Sequence, residues 1–290
     1  MQPPGLWEFN VIETIQHFRT PFLDGFFIYL NFFDTYTYYF LLIGIVWVGY
    51  SYKFGSKFFF ILIIAFFLNV SIKGIFEQLR PFELDPNLKI IDVSGYSFPS
   101  GGGQSAALLG LLLIHQFKKY KVAWLFAGAY FFLISLSRLY LGVHFPRDVF
   151  VGWLSGLFLF GIFIWGFPII EKIIHKLKPL KSLLIFQGIL LIFWIFTKNN
   201  DLINFLSGGS LAIYFSYKYN LFLNDAKSFK EFIIRSVYIS ISSILILQIA
   251  YLSKHNIFLY MFFNYLAIFW IGMFSSYFLK KTKLLQKLLK

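Results

Sequence analysis

The chain has 290 residues, of which 58% are hydrophobic, 23% aromatic and only 13% charged, with a formal net charge of +13. A water-soluble domain carries roughly twice that charged fraction, so the composition excludes an ordinary soluble protein. There is no cysteine, which excludes disulfides, thiol chemistry and any Cys-based metal site.

The N-terminal stretch MQPPGLWEFNVIETIQHF contains Glu8 and Glu13 and has no basic leader or continuous apolar run. It therefore does not read as a signal peptide. Leu6, Phe9, Ile12, Ile15 and Phe18 recur near helical spacing, which predicts an amphipathic helix lying in the membrane interface. The next segment, PFLDGFFIYLNFF, predicts a second interfacial helix or a re-entrant piece. Nine apolar stretches follow, near 33–52, 58–79, 103–117, 122–141, 149–170, 182–197, 201–218, 232–252 and 257–279, each close to the length that crosses a bilayer. The predicted fold is all-α, a polytopic transmembrane bundle of about nine spans. Its parts are an interfacial N-terminal segment (1–32), a transmembrane core (33–178) and a C-terminal transmembrane extension (179–290).

Lysine and arginine set the predicted orientation. One side collects Lys53, Lys57, Lys118, Lys119, Lys121, Lys172, Lys176, Lys178 and Lys181, then Lys218, Lys227, Lys230, Arg235 and the tail lysines Lys280, Lys281, Lys283, Lys287 and Lys290. The other holds Arg19, Lys73, Arg80, Lys89, Arg138, Arg147, Lys198 and Lys254, with most of the acids. The basic side is expected to be cytoplasmic, with the N-terminus outside and the C-terminus inside. The positive charge is then topology signal and attraction to anionic headgroups, and it requires no nucleic acid.

Three polar segments at span ends fall on the outer, sparsely basic side. They are KGIFEQLRP (Lys73–Pro81), YSFPSGGGQSA (Tyr96–Ala106) and SRLYLGVHFPRDV (Ser137–Val149). Charged groups there are costly unless they have a function, and snorkelling anchors are least expected on that side. Lys73 and Arg80 are seven residues apart, predicting two cations on one face of a helix end. Gly101, Gly102 and Gly103 let a backbone approach a ligand, and a helix starting there points N–H groups at an anion. Ser100 adds a hydroxyl. Arg138 brings a third cation. His144 lies in a loop, and Pro146 predicts a helix start that puts Asp148 in the first turn, within reach of one imidazole nitrogen. Such a contact fixes the tautomer and leaves the other nitrogen to attack.

These motifs, K-x6-R-P, P-S-G and S-R-x5-H-x3-D, resemble the signature of the type 2 phosphatidic acid phosphatase (PAP2) superfamily, which includes membrane lipid phosphatases and vanadium haloperoxidases. The resemblance covers Lys73 to Asp148. It implies that Lys73, Arg80, Ser100, Gly101, Gly102 and Arg138 hold a phosphate, that His144 is the nucleophile and forms a phosphohistidine, and that Asp148 orients it. It implies no metal or other cofactor. The expected activity is hydrolysis of a lipid phosphate or diphosphate at the outer face of a bacterial inner membrane, with the substrate lipid and the bilayer as partners.

One position departs from the pattern. The second motif ends in a histidine in that superfamily, the acid for the leaving group, and Gly102 stands there instead. Loss of a general acid costs about 10²–10⁴-fold. A leaving alkoxide needs a proton; a leaving phosphate, with a second pKa near 6, needs it much less. Glu77, one turn from Lys73, and Asp92, in the loop, are the candidate replacement acids. The alternatives to a hydrolase are a catalytically impaired relative that binds or transports phospholipid, and a phosphotransferase.

Overall fold

The computed structural model describes residues 4–174, 176–197 and 200–281, and among them the regular structure is entirely helical. Lys198 and the tail lysines Lys283, Lys287 and Lys290 of the charge count lie outside the described residues. Five helical segments are long and apolar enough to cross a membrane: Tyr52–Leu84, Lys121–Tyr140, Pro146–Ile174, Phe229–Leu252 and Phe258–Lys281. The apolar pair Pro21–Asp34 and Tyr36–Tyr50 makes a sixth if counted as one broken span. Five of the nine predicted stretches coincide with such helices. The chain is an integral membrane protein.

Residues group into two compact units. Unit 1 is Met1–Tyr38 with Ile64–Gly166, and unit 2 is Tyr39–Ile63 with Phe167–Lys290.

Unit 1 contains α1 (Leu6–Gln16), α2 (Pro21–Leu30), a 3-10 turn (Asn31–Asp34) and the first residues of α3 (Tyr36–Gly44). The second part of α4 (Tyr52–Phe76) follows, then α5 (Pro81–Leu84), α6 (Gly101–Phe117), α7 (Lys121–Tyr140) and α8 (Pro146–Gly161). At 17 residues, α6 is short for a span and reads as a core helix. It packs on both α7 and α8. Its approach to α8 depends on glycine. A Cβ at Gly152 would stand 2.6 Å from the Ser100 carbonyl oxygen, and one at Gly156 would stand 2.5 Å from that of Gln104. Small residues four apart let two membrane helices meet backbone to backbone. The outer surfaces of α7 and α8 expose Leu125, Phe126, Phe132, Phe150, Leu154 and Phe158, as a lipid-facing surface would.

The N-terminal helix forms, but its buried residues are Glu8, Ile12 and Gln16, while Leu6 and Phe18 are exposed. Hydrogen bonding explains the difference. Gln16 Nε2 donates to the carbonyls of Leu88 at 3.0 Å and Tyr140 at 2.8 Å. Buried polar groups go where their partners are, and here that outweighs the apolar period.

Unit 2 holds α9 (Phe167–Ile174), α10 (Pro179–Thr197), α11 (Asn200–Lys218), α12 (Phe229–Leu252) and α13 (Ile257–Phe269); α12 packs on α13 and on the π-helical turn Ile45–Tyr50, and α11 packs on α10 and α13. Buried Trp47 packs at a tilt against Phe59. The Gly272 carbonyl accepts from Ser216 Oγ at 2.8 Å and Tyr52 Oη at 3.2 Å. Gln187 bonds Ser207 and Ser210 across α10 and α11. The buried pair Glu231–Arg235 sits in the first turns of α12, with Arg235 Nη1 donating to the Asn224 carbonyl at 2.7 Å.

Candidate active site

The α4 helix ends at Phe76, before Arg80 is reached. Glu77 adopts a left-handed φ of 46°, and Pro81 disfavours helical geometry in the residue before it. Lys73 and Arg80 therefore do not share one helix face, as the seven-residue spacing predicts; a turn in the backbone separates them. The Lys73 ammonium donates to the carbonyls of Tyr96 and Ser97. Arg80, 3% exposed, donates from Nε to Gly95 O at 2.8 Å, from Nη1 to Val143 O at 2.9 Å and from Nη2 to Ser94 O at 3.1 Å. Two cations thus brace the loop that leads into α6. A buried charge is tolerated only when satisfied in this way.

Ser100 caps α6. Its hydroxyl oxygen accepts from Gly103 N–H at 3.1 Å, as N-cap serines do. Its own N–H donates to the Asp148 carbonyl at 3.0 Å, which ties the second polar segment to the third. The first-turn N–H groups at Gly101 and Gly102 are of the kind a helix leaves for an outside acceptor.

Pro146 opens α8 and puts Asp148 in its first turn. Asp148 is fully buried and His144 is 4% exposed. Their nearest atoms, His144 Nδ1 and Asp148 Oδ2, are 3.7 Å apart, too far for a hydrogen bond. Ser97 fills the gap. Its hydroxyl donates to Asp148 Oδ2 at 2.5 Å and lies 3.4 Å from His144 Nδ1. Asp148 Oδ2 also accepts from Phe145 N–H at 2.9 Å. With the Ser97 hydrogen given to the carboxylate, its oxygen is left as an acceptor for Nδ1–H. Burial and the nearby charges of Arg80, Lys73 and Arg138 hold the His144 imidazole well below its ordinary pKa, so it is neutral at pH 7.

Arg138, at the end of α7 and 2% exposed, donates from Nε and Nη2 to Ser137 Oγ, both at 3.0 Å. Its Nη1 donates to Asn31 Oδ1 and to Asp34 Oδ2, both at 2.9 Å. The structure thus brings Lys73, Arg80, Ser100, Gly101, Gly102, Arg138, His144 and Asp148 into one region of unit 1. Three cations, Lys73, Arg80 and Arg138, face two carboxylates there, and both Asp34 and Asp148 enter the charge balance of Lys73 and of Arg80. The excess positive charge suits an anion.

Ser97 and Asp34 join this cluster, and sequence reasoning missed both. Nothing in YSFPSGGG aims Ser97 at His144. Asp34 did carry a signal, a carboxylate inside an apolar stretch. Of the acids singled out from sequence, Asp92 pairs with Lys89 on the surface and Glu77 bonds the Tyr96 hydroxyl. Among the described residues, no group of three or more acids or histidines is arranged to hold a metal ion.

Unit 1 thus holds a histidine against a hydroxyl–carboxylate pair among three cations. Residues 54–171 match the model of the PAP2 superfamily. The chain is 35% identical over 114 residues to phosphatidylglycerophosphatase B of Bacillus subtilis, covering 37% of this chain and 53% of that protein. It is 33% identical over 96 residues to undecaprenyl-diphosphatase of Sulfolobus acidocaldarius, covering 32% of this chain and 46% of that one. The aligned parts thus span about half the length of these relatives. The crystal structure of Aquifex aeolicus LpxE aligns with a TM-score of 0.49 at 26% identity, over 55% of this chain and 96% of that one.

Proposed function

We propose that the chain is an integral-membrane phosphatase acting on a lipid phosphate or diphosphate, with His144 as nucleophile. The observation that carries this reading is the buried His144–Ser97–Asp148 chain set among Lys73, Arg80 and Arg138. A phosphoryl group has little covalent chemistry for the protein to perform, so catalysis is positioning and charge stabilisation.

In this mechanism Lys73, Arg80, Arg138 and the α6 N-terminus bind the nonbridging oxygens, with Ser100, Gly101 and Gly102 shaping the cradle. Neutral His144 attacks phosphorus through Nε2 while Nδ1–H is held by Ser97 Oγ. Asp148, through Ser97, stabilises the positive charge that develops on the ring. The P–O bond to the lipid breaks, and water then releases phosphate from the phosphohistidine. The relatives that match are a phosphatidylglycerophosphatase and an undecaprenyl-diphosphatase, which supports a lipid phosphate or diphosphate as the substrate class. The lysine asymmetry supports a site on the outer face of the cell membrane, and residues 179–290 form an extension outside the motif-bearing core.

The test is phosphate release by the purified protein from a panel of lipid mono- and diphosphates. Release from at least one class, abolished by His144→Ala, is expected. Retained lipid binding without release from any of them would favour a binding or transport role.

A further inference from the structure

The geometry points to Asp34 as the acid that protonates the leaving group, an inference that rests on the phosphatase reading above. Three observations converge on it. First, Asp34 ends the 3-10 turn after α2, where Thr35, in extended conformation, interrupts two apolar helices. Irregular backbone between apolar helices is tolerated where it lines a site, and an ionisable side chain there marks function.

Second, the carboxylate enters the anion site. It bonds Arg138 at 2.9 Å and contributes to the charge balance of both Lys73 and Arg80. The other carboxylate of the site, Asp148, has its Oδ2 committed to Ser97 Oγ and Phe145 N–H, where it supports His144.

Third, Asp34 uses the space above Gly102. A Cβ at that position would stand 2.9 Å from Asp34 Oδ2 and 2.8 Å from Arg138 Cδ. A carboxyl group reaching in from the N-terminal segment thus lies where a side chain at 102 would begin.

A phosphate bound to Arg138 sets a second anion beside Asp34, and two like charges on one guanidinium favour holding a proton between them. In the forward step His144 Nε2 forms the N–P bond, the P–O bond breaks, and the Asp34 proton passes to the departing lipid oxygen. In the second step the Asp34 carboxylate takes a proton from the attacking water as the N–P bond breaks, which restores both groups.

The experiment uses Asp34→Asn, which keeps an acceptor for Arg138 and cannot carry the proton. Its kcat should fall by about 10²-fold or more on a short-chain phosphatidic acid, whose alkoxide is strongly basic, within the range general acids supply. On an aryl phosphate, whose phenolate leaves readily, it should fall less than about 10-fold. Asp34→Glu should recover part of the loss. A structural role would lower both substrates alike, and that result, or no loss on either, would overturn the proposal. A second measurement does not need turnover: calorimetry of inorganic phosphate binding at pH 8 in buffers of different ionisation enthalpy. Wild type should take up more protons than Asp34→Asn on binding. Equal uptake overturns the role of Asp34, whereas phosphate binding without any hydrolysis by the wild type refutes the phosphatase reading instead.

Discussion

The Ser97 hydroxyl donates to Asp148 Oδ2 at 2.5 Å and stands 3.4 Å from His144 Nδ1, so the carboxylate reaches the imidazole only through it. Ser97→Ala should leave the fold intact and lower kcat by about 10-fold or more, in the range found when a group orienting a catalytic residue is lost. Asp148→Asn should cost more, because it removes the charge itself. Steady-state kinetics on one lipid phosphate compares the two, and an unchanged kcat in Ser97→Ala would remove the bridge from the mechanism.

His144 is held neutral by burial and by Arg80, Lys73 and Arg138. The acid limb of kcat/KM, corrected for substrate ionisation, should therefore lie below the ordinary imidazole value of about 6.5. Linkage gives stability the same direction. Below pH 6.5 the unfolded chain binds a proton that the folded chain refuses, so stability falls as pH drops through the window beneath 6.5. The slope from this one group approaches about 1.4 kcal/mol per pH unit there. A kcat/KM limb above 6.5 would contradict the buried, neutral imidazole.

A side chain at Gly102 meets Arg138 Cδ at 2.8 Å and Asp34 Oδ2 at 2.9 Å, and Arg138 is fixed by Ser137, Asn31 and Asp34. Gly102→Ala should destabilise the protein by about 1–3 kcal/mol, the usual cost of overpacking, and weaken phosphate binding as Arg138 shifts. Thermal unfolding and phosphate affinity measure both effects. Gly102→His, the change that sequence alone recommends for restoring an acid, should need Asp34→Ala alongside it.

Five of the nine apolar stretches and the helix start at Pro146 were legible in the sequence, because apolar length and proline act locally. What was hidden depended on side chains meeting across the fold. The predicted Lys73–Arg80 helix face failed because the chain turns at Glu77. Ser97 reaches His144 from 47 residues away, and Asp34 reaches Arg138 from 104 residues away. No sequence period marks such contacts. The N-terminal helix was legible in place but not in facing, since Gln16 and Glu8 point inward.

Orientation is checked by thiol labelling, which the cysteine-free chain makes clean. Asp92→Cys, in the exposed loop before α6, should react with an impermeant reagent on intact cells. Lys119→Cys, between α6 and α7, should react only after permeabilisation. Labelling of both from the same side would contradict an outward-facing site.

The central claim is that His144 forms a covalent bond to phosphorus. Rapid quenching of the purified protein with a lipid phosphate radiolabelled at phosphorus tests it most directly. Wild type should carry label that is stable in alkali and lost in acid, while His144→Ala carries none and releases no phosphate. Undiminished phosphate release from His144→Ala would contradict the account.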